Sequence, residues 1–111
     1  MDQERQELHD RLRGLVSNGI LKFDQILGNT FVAEMDRMFV LIEWLQDDKP
    51  TLLIGKPAER KLYEEKGYHL KKLFEFVREN HQKNKEKPIP PPVETIGDIN
   101  LTAAEAIRLL P

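Results

Sequence analysis

There is no cysteine in the 111 residues of the chain. That excludes a disulfide framework, a thiolate nucleophile and cysteine-ligated zinc, and it suits a reducing compartment. Aromatic mass is also scarce, at five Phe, two Tyr and one Trp, so a core has to be assembled mainly from Leu, Ile, Val and Met. Long apolar runs are missing too. The densest, residues 38–45, falls far short of the roughly 20 residues that cross a bilayer. The opening "MDQERQELHD" is acidic and polar with no apolar h-region, unlike a secretion signal. Together these absences lead us to expect a cytoplasmic protein with no membrane partner.

Catalytic signatures are absent as well. The sequence carries no H-E-x-x-H, G-x-S-x-G, P-loop or D-x-D motif, each of which places specific donors at fixed spacing. His9, His69 and His81 contain no H-x-x-x-H pair. Asp47–Asp48 and Glu64–Glu65 are chain neighbours, which on a helix point about 100° apart, so neither pair forms a dyad. We therefore expect no catalytic, cofactor-binding or metal-binding residue, and no enzyme activity.

What is present is charge, 32% of the chain, distributed unevenly. Residues 1–55 hold 6 basic and 10 acidic side chains, net −4; residues 56–87 hold 10 and 6, net +4; residues 88–111 hold 1 and 3, net −2. Such a split either complements itself within the fold or across a dimer, or marks an anionic partner for the middle segment. The length is that of one domain with a feasible core.

Apolar spacing points to helices. Leu8, Leu12 and Leu15 recur at steps of four and three over 3–17, with acidic residues near the positive end of the dipole. "SNG" at 17–19 ends this helix or, less simply, turns a hairpin. Phe31, Met35, Met38, Ile42 and Leu45 form a 4-3-4-3 stripe over 31–47, flanked by Phe39, Val40, Leu41 and Trp44. A helix apolar over so much of its circumference is central in a bundle or buried in an interface. "TLLIG" at 51–55 fits a short strand or an apolar connector. In "ERKLYEEKGYHLKKLFEF", residues 59–76, the positions Tyr63, Gly67, Leu70, Phe74 and Val77 continue as one helix over 57–82. Gly67 sits on its packing face at a cost of about 1 kcal/mol against alanine. The alternative is a helix that stops at Gly67 and a strand that follows.

Beyond it, "PIPPP" at 88–92 is incompatible with helix or central strand and reads as polyproline II. "LTAAEAIRLLP" carries a capping box, Thr102 with Glu105 three residues on, before a short helix with Ala106, Ile107 and Leu110 on its apolar edge. The organisation expected is a helical domain over 1–82, a proline-containing linker over 83–99 and a C-terminal helix over 100–111.

Three local resemblances accompany this reading. Ala58, Leu62 or Tyr63, Gly67 and Tyr68 resemble the A-x-x-L-Y-x-x-x-G-F/Y run of acetyl-CoA-dependent N-acetyltransferases. That resemblance implies a helix followed by a strand, with Tyr63 as general acid, in a divergent fragment of that fold. The family's pyrophosphate-binding loop is missing. Leu101, Thr102, Glu105, Ala106, Leu109 and Leu110 resemble the first helix of excisionase-type and MerR-type helix-turn-helix domains, which implies a fragment of a DNA-associated protein. "KEKPIPP" from Lys85 fits a basic-x-x-P-x-x-P ligand of SH3-like domains, or a spacer.

The fold class expected is all-α, a three- to four-helix bundle with a long third helix. The function expected is non-enzymatic: an adaptor, regulatory or assembly protein acting through helix–helix contacts, as a homo-oligomer or partner complex. The association residues are Phe39, Leu41, Trp44, Ile107 and Leu110. The alternative is a nucleic-acid-associated protein using the basic segment 56–87, where Tyr68, Phe74 and Phe76 interleave with Lys71 and Lys72.

Overall fold

The computed structural model describes residues 3–35, 37–81 and 101–111. It overturns the all-α expectation. A five-stranded antiparallel meander, in the order β1-β2-β3-β4-β5, forms the centre of the molecule. Its strands are β1 (Asp24–Leu27), β2 (Thr30–Met35), β3 (Met38–Glu43), β4 (Thr51–Lys56) and β5 (Lys61–Lys66). Helix α1 (Gln3–Ser17) precedes the sheet, and α2 (Lys71–Asn80) and α3 (Ala103–Leu109) follow it. The expected linker 83–99, with its "KEKPIPP" motif, lies outside the described residues.

Four residues of the stripe read as a helix over 31–47, Phe31, Met35, Met38 and Ile42, do share one face, but the face belongs to a hairpin, and Leu45 lies beyond β3 and is exposed. In the β2–β3 register Phe31 opposes Ile42, Ala33 opposes Val40 and Met35 opposes Met38. A chain folded back between 35 and 38 brings the same residues together that a 4-3-4 helical step would. The alternation that normally betrays a strand is missing because both faces are apolar. Phe31, Ala33, Met38, Val40 and Ile42 join the main core, while Val32, Phe39 and Leu41 join a second cluster with Leu53 and Leu62 on the other side. Two turns organise the meander. Gly28–Asn29 links Leu27 to Thr30, with Gly28 at φ +55, the left-handed geometry of a two-residue hairpin. Arg37, at φ +66, precedes β3.

Helices α1, α2 and α3 cover one face of the sheet. Leu8, Leu12 and Leu15 of α1, Leu73, Phe74 and Val77 of α2, and Ala103 and Ala106 of α3 pack with Leu52, Ile54 and Tyr63 from the sheet. Phe74 is fully buried and meets Phe31 edge-on at 5.7 Å between ring centroids.

The expected helix over 57–82 is also corrected. Residues 57–59 form a 3-10 turn, 61–66 are β5, 68–70 form a second 3-10 turn, and only 71–80 are α-helical. Gly67 ends a strand and opens a helix. This is the reverse of the order implied by the acetyltransferase resemblance, and it removes the structural context that reading needs. The C-terminal helix forms as expected. Thr102 Oγ1 accepts from the Glu105 amide and Glu105 Oε1 accepts from the Thr102 amide, both at 3.2 Å. Arg11 of α1 donates to the Pro111 carbonyl, and the Leu101 amide donates to the Leu62 carbonyl at 3.2 Å. The short helix is thus tied to both α1 and the sheet edge.

Candidate functional site

Two places concentrate chemistry that packing alone does not require: a surface around Trp44 and a buried polar cluster around Glu65.

Trp44 directly follows β3. Its amide donates to the Asn29 carbonyl at 3.1 Å and its indole Nε1 donates to the Asp48 carbonyl at 2.9 Å. The half-buried ring stands perpendicular to Phe74, at 5.7 Å and 90°, and edge-on to Tyr68, at 6.4 Å. Tyr68 is 63% exposed and Leu45 is 50% exposed, two of the three large exposed apolar side chains among the described residues. Leu45, Asn29, Trp44, Asp47, Phe74 and Arg78 line a shallow open depression. Cations flank the aromatics. Lys49 Nζ lies 5.9 Å from the Tyr68 ring centroid, and the Arg78 guanidinium lies 5.6 Å from that of Phe74.

The other expected association residues are distributed elsewhere. Phe39 (2% exposed) and Leu41 (8%) lie on the sheet face opposite the helices. Leu110 is buried and Ile107 half-buried against the main core. The structure brings none of these four to Trp44. Of the aromatic–basic segment, Phe74 is core and Phe76 half-buried, while Tyr68, Lys71 and Lys72 are exposed. Part of the charge asymmetry resolves within the fold. Lys66 pairs with Asp48 of the acidic segment at 3.0 Å, while Lys56 and Lys61 share Glu59 within the basic segment itself. These bonds hold both carboxyls below their ordinary range, chiefly through the Lys49 amide for Asp48 and through Lys56 for Glu59.

The buried cluster was not legible from spacing. Glu65 lies on the helix side of β5, two residues beyond Tyr63, and its side chain is 1% exposed. Its Oε2 accepts from His9 Nε2 of α1 at 2.8 Å and from His69 Nε2, in the turn before α2, at 2.6 Å. Its Oε1 accepts from the Tyr63 hydroxyl at 2.5 Å. A carboxylate only accepts, so both imidazoles carry a proton on Nε2. Burial pushes the Glu65 pKa up, but the donors from His9, Tyr63 and His69 outweigh it, and the net shift is downward. Tyr63 moves upward, first through burial and then through its bond to Glu65.

Gly67 makes this arrangement possible. At φ +156 and ψ 163 it occupies backbone space that is essentially glycine-only. A Cβ there would lie 2.5 Å from His69 Nδ1. The Gly67 amide donates to the Pro50 carbonyl at 3.0 Å, which fixes the turn that folds His69 back onto Glu65.

The cluster's geometry is that of hydrogen bonding rather than ligation. The His9 and His69 rings are parallel to within 9°, with centroids 6.2 Å apart. Zinc–nitrogen bonds of about 2.0–2.1 Å at a tetrahedral angle would bring the centroids to about 5 Å. Among the described residues no group of three or more His, Asp or Glu is arranged to hold a metal ion, and no helix is long and apolar enough to cross a membrane. Comparison with protein-family models, curated proteins and solved structures returns no match.

Proposed function

We propose that the protein acts by association rather than catalysis, and that it self-associates through the surface centred on Trp44. One observation carries this reading: Leu45 and Tyr68 stand exposed beside a half-buried Trp44, with an open depression next to them. Aromatic anchors framed by cations are enriched where interfaces derive most of their energy. Asp47 and Arg78 line the same depression with opposite charges. A two-fold axis through it pairs each with its counterpart in a second copy, the self-complementarity an isologous dimer requires. The contacts differ in kind from the helix–helix contacts read from the sequence, because a strand end, a turn and a 3-10 segment present them. Cytoplasm, consistent with the lack of cysteine, is the location we propose.

Sedimentation velocity over a concentration series tests this. The wild type is expected to dimerise and the Leu45→Glu/Tyr68→Glu variant to stay monomeric with unchanged circular dichroism. A wild type that remains monomeric at hundreds of micromolar overturns the reading. If such a monomer instead binds single-stranded oligonucleotide with steep salt dependence, lost on changing Lys71 and Lys72, the exposed Tyr68 belongs to a nucleic-acid surface.

A further inference from the structure

We propose that the sheet face opposite the helices is a docking surface for the chain's own proline-rich segment, with residues 88–99 seated on Val32, Phe39, Leu41, Leu53 and Leu62. The proposal is independent of the association reading, which uses the Trp44 surface.

The face is apolar, and it is covered. Val32 is 1% exposed, Phe39 2%, Leu62 5%, and Leu41 and Leu53 8% each. They form a cluster apart from the main core, with Ile26 packed against it, and all six residues come from strands. The apolar side chains of α1, α2 and α3 go instead to the main core on the other face. An antiparallel sheet with one face packed leaves its other face to water. Here Phe39 opposes Gly55, which has no side chain to shield the ring. Among the described residues no helix or strand lies over Phe39, so its burial calls for another part of the chain.

The points where the chain leaves and returns identify that part. Helix α2 delivers His81 to β2, its ring 5.0 Å from that of Phe31. The chain returns at Leu101, whose amide donates to the Leu62 carbonyl on edge strand β5 at 3.2 Å. From β2 to β5 is three strand spacings, about 14 Å. Residues 82–100 join the two points. At about 3.1 Å per residue in polyproline II, about five of them cross the sheet, and the remainder suffice to turn both edges.

The segment's sequence fits the face. Pro90, Val93, Ile96 and Ile99 recur every third residue, the period of polyproline II, and so share one edge of such a segment. Pro88, Pro90, Pro91 and Pro92 carry no N–H, so they bury no unpaired donor against an apolar surface. Charge agrees as well. Glu34 and Glu64, each two residues along a strand from Val32 and Leu62, stand exposed on the same face, and Lys83, Lys85 and Lys87 precede the prolines.

Isotope-edited NOE spectroscopy of the full chain tests this. Contacts from the methyls of Val93, Ile96 or Ile99 to Phe39, Leu41 or Leu53 are expected. Their absence overturns the proposal. So does their appearance only between differently labelled molecules in a mixed sample, which assigns the face to a second copy. The lack of native cysteine gives a second reading. Leu53→Cys, central on the face, is expected to react with a maleimide at least about tenfold faster in a Val93→Asp/Ile96→Asp background, the equivalent of losing one buried apolar side chain. Val40→Cys, on the helix side, is expected to stay protected. Unchanged labelling at Leu53→Cys, or equal acceleration at Val40→Cys, overturns the proposal.

Discussion

Replacing Gly67 with alanine distinguishes the observed turn from the helix that periodicity suggests, because the two give opposite signs. In a continuous helix over 57–82 an alanine at 67 would stabilise by about 1 kcal/mol. In the structure it must destabilise, for two reasons. The backbone at φ +156 and ψ 163 costs a non-glycine residue about 1–3 kcal/mol. The new Cβ would also meet His69 Nδ1 at 2.5 Å and Cε1 at 2.6 Å. The imidazole has to swing away, and the bond to Glu65 at 2.6 Å is lost. A hydrogen bond to a charged group contributes about 1.5–3 kcal/mol; with His69 one-third exposed, about 1 kcal/mol is the reasonable share. The sum is about 2–4 kcal/mol, which for a domain of this size lowers Tm by about 8–16 °C.

Urea unfolding followed by circular dichroism measures the loss, and a double-mutant cycle apportions it. In a His69→Ala background the clash has no target, so alanine at 67 should cost about 1 kcal/mol less than in the wild type. A stabilised Gly67→Ala protein would refute the turn itself. A destabilised one with no coupling to His69 would leave the backbone argument standing and refute the role given to the histidine.

Two further predictions follow from local geometry. Thr102→Ala removes one half of a reciprocal capping box and is expected to cost about 0.5–2 kcal/mol, read as faster hydrogen exchange confined to α3. Acid should remove the contribution of Glu65. Its folded pKa is depressed below the ordinary 4.5, so the stability it provides is fully present above about pH 4.5 and is lost as pH falls through the lower folded value. The gap in urea midpoint between wild type and Glu65→Gln should therefore narrow as pH falls from about 4.5 to 3.

The sequence was most legible where structure is local. The α1 stripe of Leu8, Leu12 and Leu15, the N-terminal helix bounds and the Thr102–Glu105 box all depend on residues within a turn or two of one another. It was misleading at 31–47 for an identifiable reason. Residues 31, 35, 38 and 42 are spaced symmetrically about the point between 36 and 37, so a tight hairpin and a helix place the same side chains on one side. The distinction lay in weaker marks: the polar Asp36–Arg37 pair between two apolar runs, "GN" at 28–29, and the β-branched Thr30, Val32, Val40 and Ile42, which favour a pleated surface. Over 57–82, Gly67 was rightly singled out, yet both readings weighed there assumed that a helix precedes it.

The candidate sites were hidden by a different cause. The sequence singles out Trp44, but its surroundings depend on Tyr68, Phe74 and Arg78, which only tertiary folding brings near. Glu65 and His9 are 56 positions apart, and no local pattern relates them. In sequence Glu65 is one of two adjacent glutamates, and His9 one polar residue in a charged helix. Their burial is the informative fact, because a carboxylate and an imidazole leave water together only when each satisfies the other. Strand alternation explains the sorting within the Glu64–Glu65 pair: Glu64 faces away from the helices and is exposed, while Glu65 faces α1 and is buried. A one-residue slip of β5 would bury Glu64 and expose Glu65, leaving His9 and His69 with no carboxylate between them. The cluster thus holds β5 in register as well as holding α1 in place, and register and helix docking should fail together when Glu65 is removed.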